Sequence, residues 1–157
     1  MTDNYIGIMI ESLRRKKDVL TDILKLSEEQ SLLLDDPNLE PDTFEKNVNR
    51  KAALIDKLEQ LDTGFESLYD KVKEELESNR DIHKEQIRQM QELIRALTEL
   101  NMQIQATEAR NKEKATAKFA YIRQQAKEIR SSQKIKEYYN NMMHKAYNEP
   151  HFLDNKK

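Results

Sequence analysis

A long stretch without glycine or proline constrains this chain more than any other feature. The 85 residues from Phe65 to Glu149 contain neither, and they are rich in Glu, Lys, Arg, Gln, Ala and Leu, which favour helices. Strands must be joined by turns, and turns depend on Gly, Pro, Asn and Asp. The stretch therefore predicts an all-α protein with long helices. Proteins of this shape rarely enclose a catalytic pocket and usually present a surface to another protein.

The composition agrees with thin helix-on-helix packing in one domain. Charged residues make up 36% and the hydrophobic class 37% of the 157 residues, which suits helices that each bury a single stripe. Without Cys, disulfides and thiolate metal sites are excluded. No apolar run approaches the roughly 20 residues that cross a bilayer, and the N-terminus is a poor signal peptide. We expect a cytosolic protein with no membrane span.

The charge is distributed unevenly along the chain. Residues 1–109 carry 15 Lys or Arg against 24 Asp or Glu, whereas residues 110–136 carry 9 against 2. A basic helical segment of this kind either packs against the acidic part of its own chain or meets an acidic partner. Both interpretations stay open at the level of the sequence.

Two helices are predicted in the first half of the chain. Apolar residues three and four apart predict a first helix from about Asp3 to Leu34, and two prolines place a loop at residues 35–41. Asp42 with Glu45 outlines a capping box for the second helix, within which Gly64 would permit close packing or a mild kink. Its two apolar stripes favour a bundle over a two-stranded coiled coil. They comprise Phe44, Val48, Ile55, Leu58, Phe65, Tyr69, Val72 and Leu76, with gaps at Lys51 and Asp62, and Leu54, Leu61 and Leu68.

A turn is predicted at residues 77–81, followed by a third helix from near Asn79 to about Arg130. Apolar residues line one face of this helix from Ile87 to Ile104 and again from Ala115. Between these two parts, polar residues occupy core-type positions at Asn101, Glu108 and Asn111. Because the first two helices are shorter, part of the third must project, bend back or pair with something else. The predicted architecture is an elongated antiparallel bundle of three long helices over residues 1–130. A C-terminal arm over residues 131–157 comprises Ser131 and Ser132 as a break, an amphipathic helix from Lys134 to Tyr147, and a flexible tail.

The residue types that usually carry chemistry form no recognisable site. His83, His144 and His151 have no partner at metal-ligand spacing, and we expect them at the surface. No Gly-rich phosphate loop or nucleophile motif is present. The basic segment contains no recognition module for nucleic acid. We therefore expect a non-enzymatic protein with no metal, no cofactor and no nucleic-acid partner.

The arm has the composition of a partner-binding surface. Helical spacing places Tyr and Met residues on one side, and both types supply adaptable contact area. The alternative is that this segment folds back and caps the bundle, and the two are compatible if a partner displaces it. The residues on this face are Ile135, Tyr138, Tyr139, Met142, Met143 and Ala146.

Taken in order, four stretches of the chain resemble the FlgN-type flagellar export chaperones, with the FliT-type as the close alternative. The order and spacing of these stretches carry the resemblance. They are Ile10-Glu11-Ser12-Leu13 through Asp22-Ile23-Leu24 and Glu28-Glu29-Gln30; Lys51-Ala52-Ala53-Leu54-Ile55-Asp56-Lys57-Leu58-Glu59-Gln60-Leu61-Asp62 with Gly64-Phe65-Glu66-Ser67-Leu68-Tyr69; Glu108-Ala109-Arg110-Asn111-Lys112; and Tyr138-Tyr139-Asn140-Asn141-Met142.

The resemblance implies a cytosolic chaperone of the flagellar type III export system. Such a chaperone binds the C-terminal amphipathic helix of hook-associated, filament-junction proteins, keeps them unpolymerised and delivers them to the export gate or ATPase complex. Client binding is implied for the region from Phe119 to Met143, with Ile122 and Ile129 on its apolar face, and a gate contact for Tyr147.

The competing interpretation is a structural coiled-coil scaffold or a self-associating spacer without chaperone activity. The polar positions Asn101, Glu108 and Asn111 bear on this choice. Buried polar residues can specify the register of a homodimer, whereas solvent-facing ones would mark the point at which the third helix leaves the bundle.

Overall fold

The computed structural model describes the backbone of residues 2–140 and the side chains of residues 2–133. It contains the helices α1 (Thr2–Asp35), α2 (Pro41–Ser78) and α3 (Lys84–Asn140). The predicted all-α architecture of three long helices is thereby confirmed. Among the described residues, no helix combines the length and apolar character that a membrane crossing requires.

The helix α1 is the central element, because it packs closely against both α2 and α3. Side chains at its two ends fix the relative directions. Asp3, at the start of α1, lies beside His83, which precedes α3, and Asp35, at the end of α1, pairs with Lys114. The helices α1 and α3 therefore run parallel to each other, and α2 runs antiparallel to both.

The burial of α1 follows from its position between two neighbours. Its predicted apolar face is buried, and the stripe continues through two polar side chains, Ser27 and Gln30, to Leu34. The buried apolar residues of the preceding turns are Ile6, Met9, Ile10, Leu13, Val19, Leu20 and Ile23.

The start of α2 differs from the predicted capping box. Pro41 occupies the first helical turn, and the preceding residue, Glu40, makes no side-chain cap hydrogen bond. The prediction of a cap at Asp42 with Glu45 was therefore wrong. Proline fixes its own φ near the helical value and lacks the N–H that a cap would satisfy, so the helix begins there. Asp42 instead lies in the first turn, where its charge favours the helix dipole.

The buried face of α2 is narrower than the sequence indicated. Ile55 and Tyr69 are exposed, while Leu54, Leu61 and Leu68 pack against the core. The physical reason is that α2 packs mainly on α1, which covers most of both stripes but leaves Ile55 and Tyr69 at the edge exposed. A Cβ atom placed on Gly64 would meet nothing within 4 Å, so this glycine does not permit a close helix approach.

The helix α3 begins at Lys84, later than predicted, after a turn that spans residues 79–83. The carbonyl of His83 accepts the backbone N–H of Ile87 at 2.9 Å, which opens the helix. At the other end, α3 continues through Ser131 and Ser132 to Asn140, so the predicted break at these serines was wrong. Serine costs only a fraction of a kcal/mol in a helix, and this segment offers no stronger helix breaker.

The three helices differ in length, and this difference shapes one end of the molecule. The 57 residues of α3 span about 85 Å, whereas the 34 residues of α1 span about 51 Å. Since α1 and α3 start together, α3 continues for several turns after the end of α1. Among the described residues of this part of α3, Ile122 packs on the cluster formed at that end, and Ala126, one turn later, is also buried.

Candidate functional site

Two apolar clusters lie along the bundle. The proximal cluster, near the start of α1, contains eleven buried residues from all three helices, among them Met9, Leu20 and Val72. The distal cluster, near the end of α1, has three buried residues within the described part of the chain, Leu34, Phe44 and Phe119. Partly buried side chains extend the distal cluster, namely Leu39, Val48, Ala115 and Ile122.

A buried polar layer separates the two clusters. Lys51 on α2 donates to Gln30 Oε1 on α1 at 2.9 Å and forms an ion pair with Glu108 on α3. The Ser27 hydroxyl donates to the same Glu108 carboxylate. Lys51 is buried, with 10% of its side chain exposed, whereas the Glu108 side chain is 42% exposed. One lysine thereby links all three helices at the same level.

Asn111 and Asn47 complete the polar layer. The Asn111 amide donates to the backbone carbonyl of Ser27 at 2.8 Å and to Gln30 Oε1 at 3.2 Å. The Asn47 amide donates to the carbonyl of Leu26 at 2.9 Å. Because these amides reach backbone carbonyls of α1, they fix the longitudinal register of α2 and α3 against it.

The polar positions predicted on the third helix therefore serve the single chain. Asn111 is buried and Glu108 is half-buried against α1 and α2, while Asn101 is exposed. Glu108 and Asn111 therefore neither set the register of a homodimer nor mark the point at which the third helix leaves the bundle. Lys51, which interrupted the predicted apolar stripe of α2, pairs with Glu108 and shares the acceptor Gln30 with Asn111.

Part of the basic segment packs against the end of α1, as one of the two sequence interpretations proposed. Lys114 donates to the Ser31 hydroxyl at 2.8 Å and to Asp35 at 2.9 Å. Lys118 donates to the carbonyls of Leu34 and Asp36, at 3.3 and 2.6 Å. Cations are favourable there because the last carbonyls of a helix have no partner within it.

The distal cluster is held by an aromatic pair. The rings of Phe44 and Phe119 meet edge to face, with centroids 6.0 Å apart and planes at 88°. This arrangement is favourable for aromatic quadrupoles. Leu34 at the end of α1 completes the contact. Phe119, which the resemblance places in a client-binding region, is thus buried within the chain.

An open groove of about 520 Å³ lies between α2 and α3 beside the distal cluster. Gln30 and Leu34 of α1 form its floor, Phe44 and Val48 contribute from α2, and residues of α3 between 108 and 123 form the other side. The groove adjoins the polar layer at Lys51. Grooves of this size and apolar character commonly receive ligands or side chains of a partner.

The other residues predicted for partner binding lie along the last part of α3. Ile122 is partly buried in the distal cluster and Ile129 is exposed. Ile135, Tyr138 and Tyr139 belong to α3, but their side chains are outside the described residues. Met142, Met143 and Tyr147 are outside the described residues altogether.

The histidine prediction was wrong for His83. Its side chain is only 5% exposed and lies between Asp3 of α1 and Glu75 of α2, at 3.6 and 3.4 Å. His83 continues the three-four spacing of Ile87 and Met90, so the pattern carried a signal of burial that residue type alone obscured. His144 and His151 are outside the described residues.

Electrostatic effects on titrating groups are clearest at an exposed position of α3, away from the groove. The Arg88 guanidinium donates to Glu85 and holds the pKa of that carboxyl below its ordinary value. Arg88 also pairs with Glu92. In the described part of the chain, no group of three or more His, Asp and Glu side chains is placed to hold a metal ion.

Comparison with known proteins identifies the family. The FlgN protein family model matches residues 1–142, which is nearly the whole chain. Neither curated proteins nor solved structures yielded a match. Members of this family are cytoplasmic, non-enzymatic chaperones that serve hook-associated proteins in flagellar export. The three-helix bundle described above therefore belongs to the FlgN family of flagellar export chaperones.

Proposed function

We propose that this chaperone binds the C-terminal amphipathic helix of its hook-associated clients along the C-terminal half of α3. Binding covers the surface through which the client would polymerise. The chaperone then delivers the client to the export gate or the ATPase complex, with Tyr147 as the gate contact. An amphipathic helix laid on an apolar surface is a common recognition mode.

The length of α3 is the observation that carries this proposal. The helix runs on after α1 has ended, and the exposed side chains of Tyr121 and Ile129 lie on this later part. A helix that exceeds its bundle neighbours offers a surface that they do not cover. A client segment that is disordered when free can become ordered on such a surface.

The unbroken course of α3 divides the proposed contact residues into two groups. At about 100° per residue, positions 135, 138 and 139 fall roughly half a turn round the helix axis from Phe119, Ile122 and Ile129. We propose that the first group meets one part of the client and that positions 135–143, with Met142 and Met143, meet another. A client would then wrap the end of α3 instead of following a single face.

A homodimer through this same end of α3 is a second proposal. It would make the exposed apolar residues of the helix a self-association surface, as the structural-scaffold alternative requires. The polar layer does not support such a dimer, since Glu108 and Asn111 already bond within one chain. Light scattering on the purified protein tests this proposal, because a dimer would show twice the chain mass.

Deletion of residues 131–157 tests the client-binding proposal. We expect the truncated protein to keep its helical circular dichroism spectrum, since the polar layer and both clusters lie before residue 131. We expect it to lose the co-purification of hook-associated proteins that the full chain shows. A truncated chain that retains its clients at full strength would refute the assignment.

A matched control removes exposed apolar surface elsewhere on the bundle. Ile82 and Met102 are both exposed and lie away from the groove. Changing both to Ser should leave client capture unchanged, because the proposed surface does not include them. If the control variant and the truncated chain lost client capture equally, binding would depend on non-specific apolar contacts and not on a specific site.

A further inference from the structure

The groove beside the distal cluster has a wall made of small side chains. On α3, Ala115, Thr116 and Ala120 line it between the larger Phe119 and the basic residues at its ends. Small residues let the backbone of a partner helix approach closely, because no long side chain holds it away. This side of α3 is therefore shaped for another helix.

Two basic side chains at the rim of the groove have no hydrogen-bond or ion-pair partner among the described residues. Lys112 and Arg123 line it, and neither side chain makes a hydrogen bond or ion pair within the part of the chain that the structure describes. Lys114 and Lys118, which lie between them in sequence, are occupied at the end of α1. The carboxylate of Glu108, which also lines the groove, is already paired with Lys51.

The spacing of these cations defines the charge pattern of a complementary segment. Lys112 and Arg123 are 11 residues apart, which is close to three full turns, so both face the groove about 16 Å from each other. A partner helix lying along the groove would place two carboxylates at this separation. Between them it would present aliphatic side chains to Val48 and Ala115, which line the groove and are only partly buried.

We propose that this groove docks an amphipathic helix that carries two carboxylates about three turns apart on the flank of its apolar stripe. The proposal rests on the chaperone function, since the client is the intended source of that helix. It places the first client contact between α2 and α3, beside the buried face of Phe119. Charge complementarity at the rim speeds the encounter and sets the register.

The decisive variant reverses the two rim charges in the full chain. Lys112→Glu with Arg123→Glu should raise the Kd for a fluorescently labelled C-terminal segment of a hook-associated protein about tenfold at low salt. The effect should shrink at about 1 M salt, where the Debye length falls to about 3 Å. Arg95→Glu with Arg110→Glu is the control, because both residues are exposed on α3 and neither lines the groove.

A designed peptide pair tests the charge pattern directly. The first peptide is an amphipathic helix of about five turns with two Glu residues 11 positions apart, and its twin carries Lys at both positions. The native chain should prefer the Glu peptide, and the double charge-reversal variant should prefer the Lys peptide. The absence of this reversal would overturn the proposal.

A steric variant makes the test independent of charge. Ala120 is exposed on the groove wall, so Ala120→Trp should keep the helical spectrum while blocking entry. If this variant and the charge-reversed chain both bind the client segment as the native chain does, the groove assignment fails while the chaperone function stands. If the native chain binds no client segment at all, the proposed function itself fails.

The chain's own C-terminal residues are the remaining competitor for the groove. Deleting residues 141–157 should leave the affinity for the Glu peptide within about twofold if the groove is open to a partner. A rise of tenfold or more would assign the groove to the chain's own tail and overturn the proposal.

Discussion

The proximal and distal ends of the bundle are built from the same three helices but differ greatly in core. Among the residues that the structure describes, the proximal cluster buries eleven apolar residues, and the distal cluster buries three beside an open groove. Since stabilisation by burial scales with apolar area removed from water, most of it lies at the proximal end. The end proposed for binding is the end that contributes least to holding the fold together.

The polar layer explains how the two ends can differ without weakening each other. The side chains of Lys51, Glu108 and Asn111 bond across all three helices between the clusters. Buried hydrogen-bonded groups are costly to separate, because each would lose its partner away from water. A disturbance in the distal cluster is therefore expected to stop at this layer.

The largest expected effect comes from the proximal cluster. Leu20 is 2% exposed, and Leu20→Ala should lower the free energy of unfolding by about 3 kcal/mol, through lost burial and the cavity left behind. Urea denaturation followed by circular dichroism measures the change. Leu32→Ala on the same helix is the control, because Leu32 is 72% exposed and should be nearly neutral. Similar losses for both variants would contradict a concentrated proximal core.

The polar layer should respond unequally to the loss of its two charged members. Glu108→Ala leaves Lys51 charged and buried and should cost about 2 kcal/mol, whereas Lys51→Met leaves a carboxylate that is already half in water and should cost about 1 kcal/mol. Replacing both with apolar residues should restore much of the stability. Equal costs for the single variants would mean that burial does not control this pair. The same denaturation curves decide between these outcomes.

A smaller and local effect is expected in the distal cluster. Phe119→Ala should cost about 1.5 kcal/mol, less than is usual for a buried phenylalanine, because the distal cluster has few fully buried members among the described residues. Amide exchange should accelerate near Phe44 and Phe119 and remain slow around Leu20. Tyr121→Ala, at an exposed neighbouring position, should leave exchange unchanged. Faster exchange throughout the bundle would show that the polar layer does not confine the disturbance.

The smallest expected effect is an increase in the free energy of unfolding. Gly64 lies inside α2 with open space around its Cβ position, so Gly64→Ala should raise the free energy of unfolding by about 0.7 kcal/mol through helix propensity and a less flexible unfolded chain. Thermal unfolding with circular dichroism should show a slightly higher midpoint. A lower midpoint would indicate that Gly64 has a packing role that its surroundings do not show.

The sequence predicted the helices well because apolar spacing and the position of prolines depend on local geometry. It did not predict the polar layer. Lys51, Ser27 and Gln30 look like ordinary surface residues in a helical pattern, and only the register of three helices brings them together. His83 was misjudged for the same reason, since its neighbours Asp3 and Glu75 belong to two different helices.

The surroundings of the candidate site could be predicted only in part. Ile55 and Tyr69 were expected in a core and are exposed, because the number of neighbours around α2 cannot be read from its own pattern. The packing of Phe119 on Phe44 could not be predicted, because the two residues come together only when α2 and α3 lie side by side. The groove could not be predicted, because its small residues and its two basic residues without internal partners line a groove only once α2 lies opposite α3.

The amide of Asn111 has a further consequence for how the molecule can move. Its bond to the carbonyl of Ser27 is possible at one axial position of α3, so a sliding motion of one turn, about 5.4 Å, would break it. Hinged separation of the distal tips leaves the same bond intact. Any separation of α3 from α1 at the distal end would therefore turn about Asn111 and leave the axial register of the two helices unchanged.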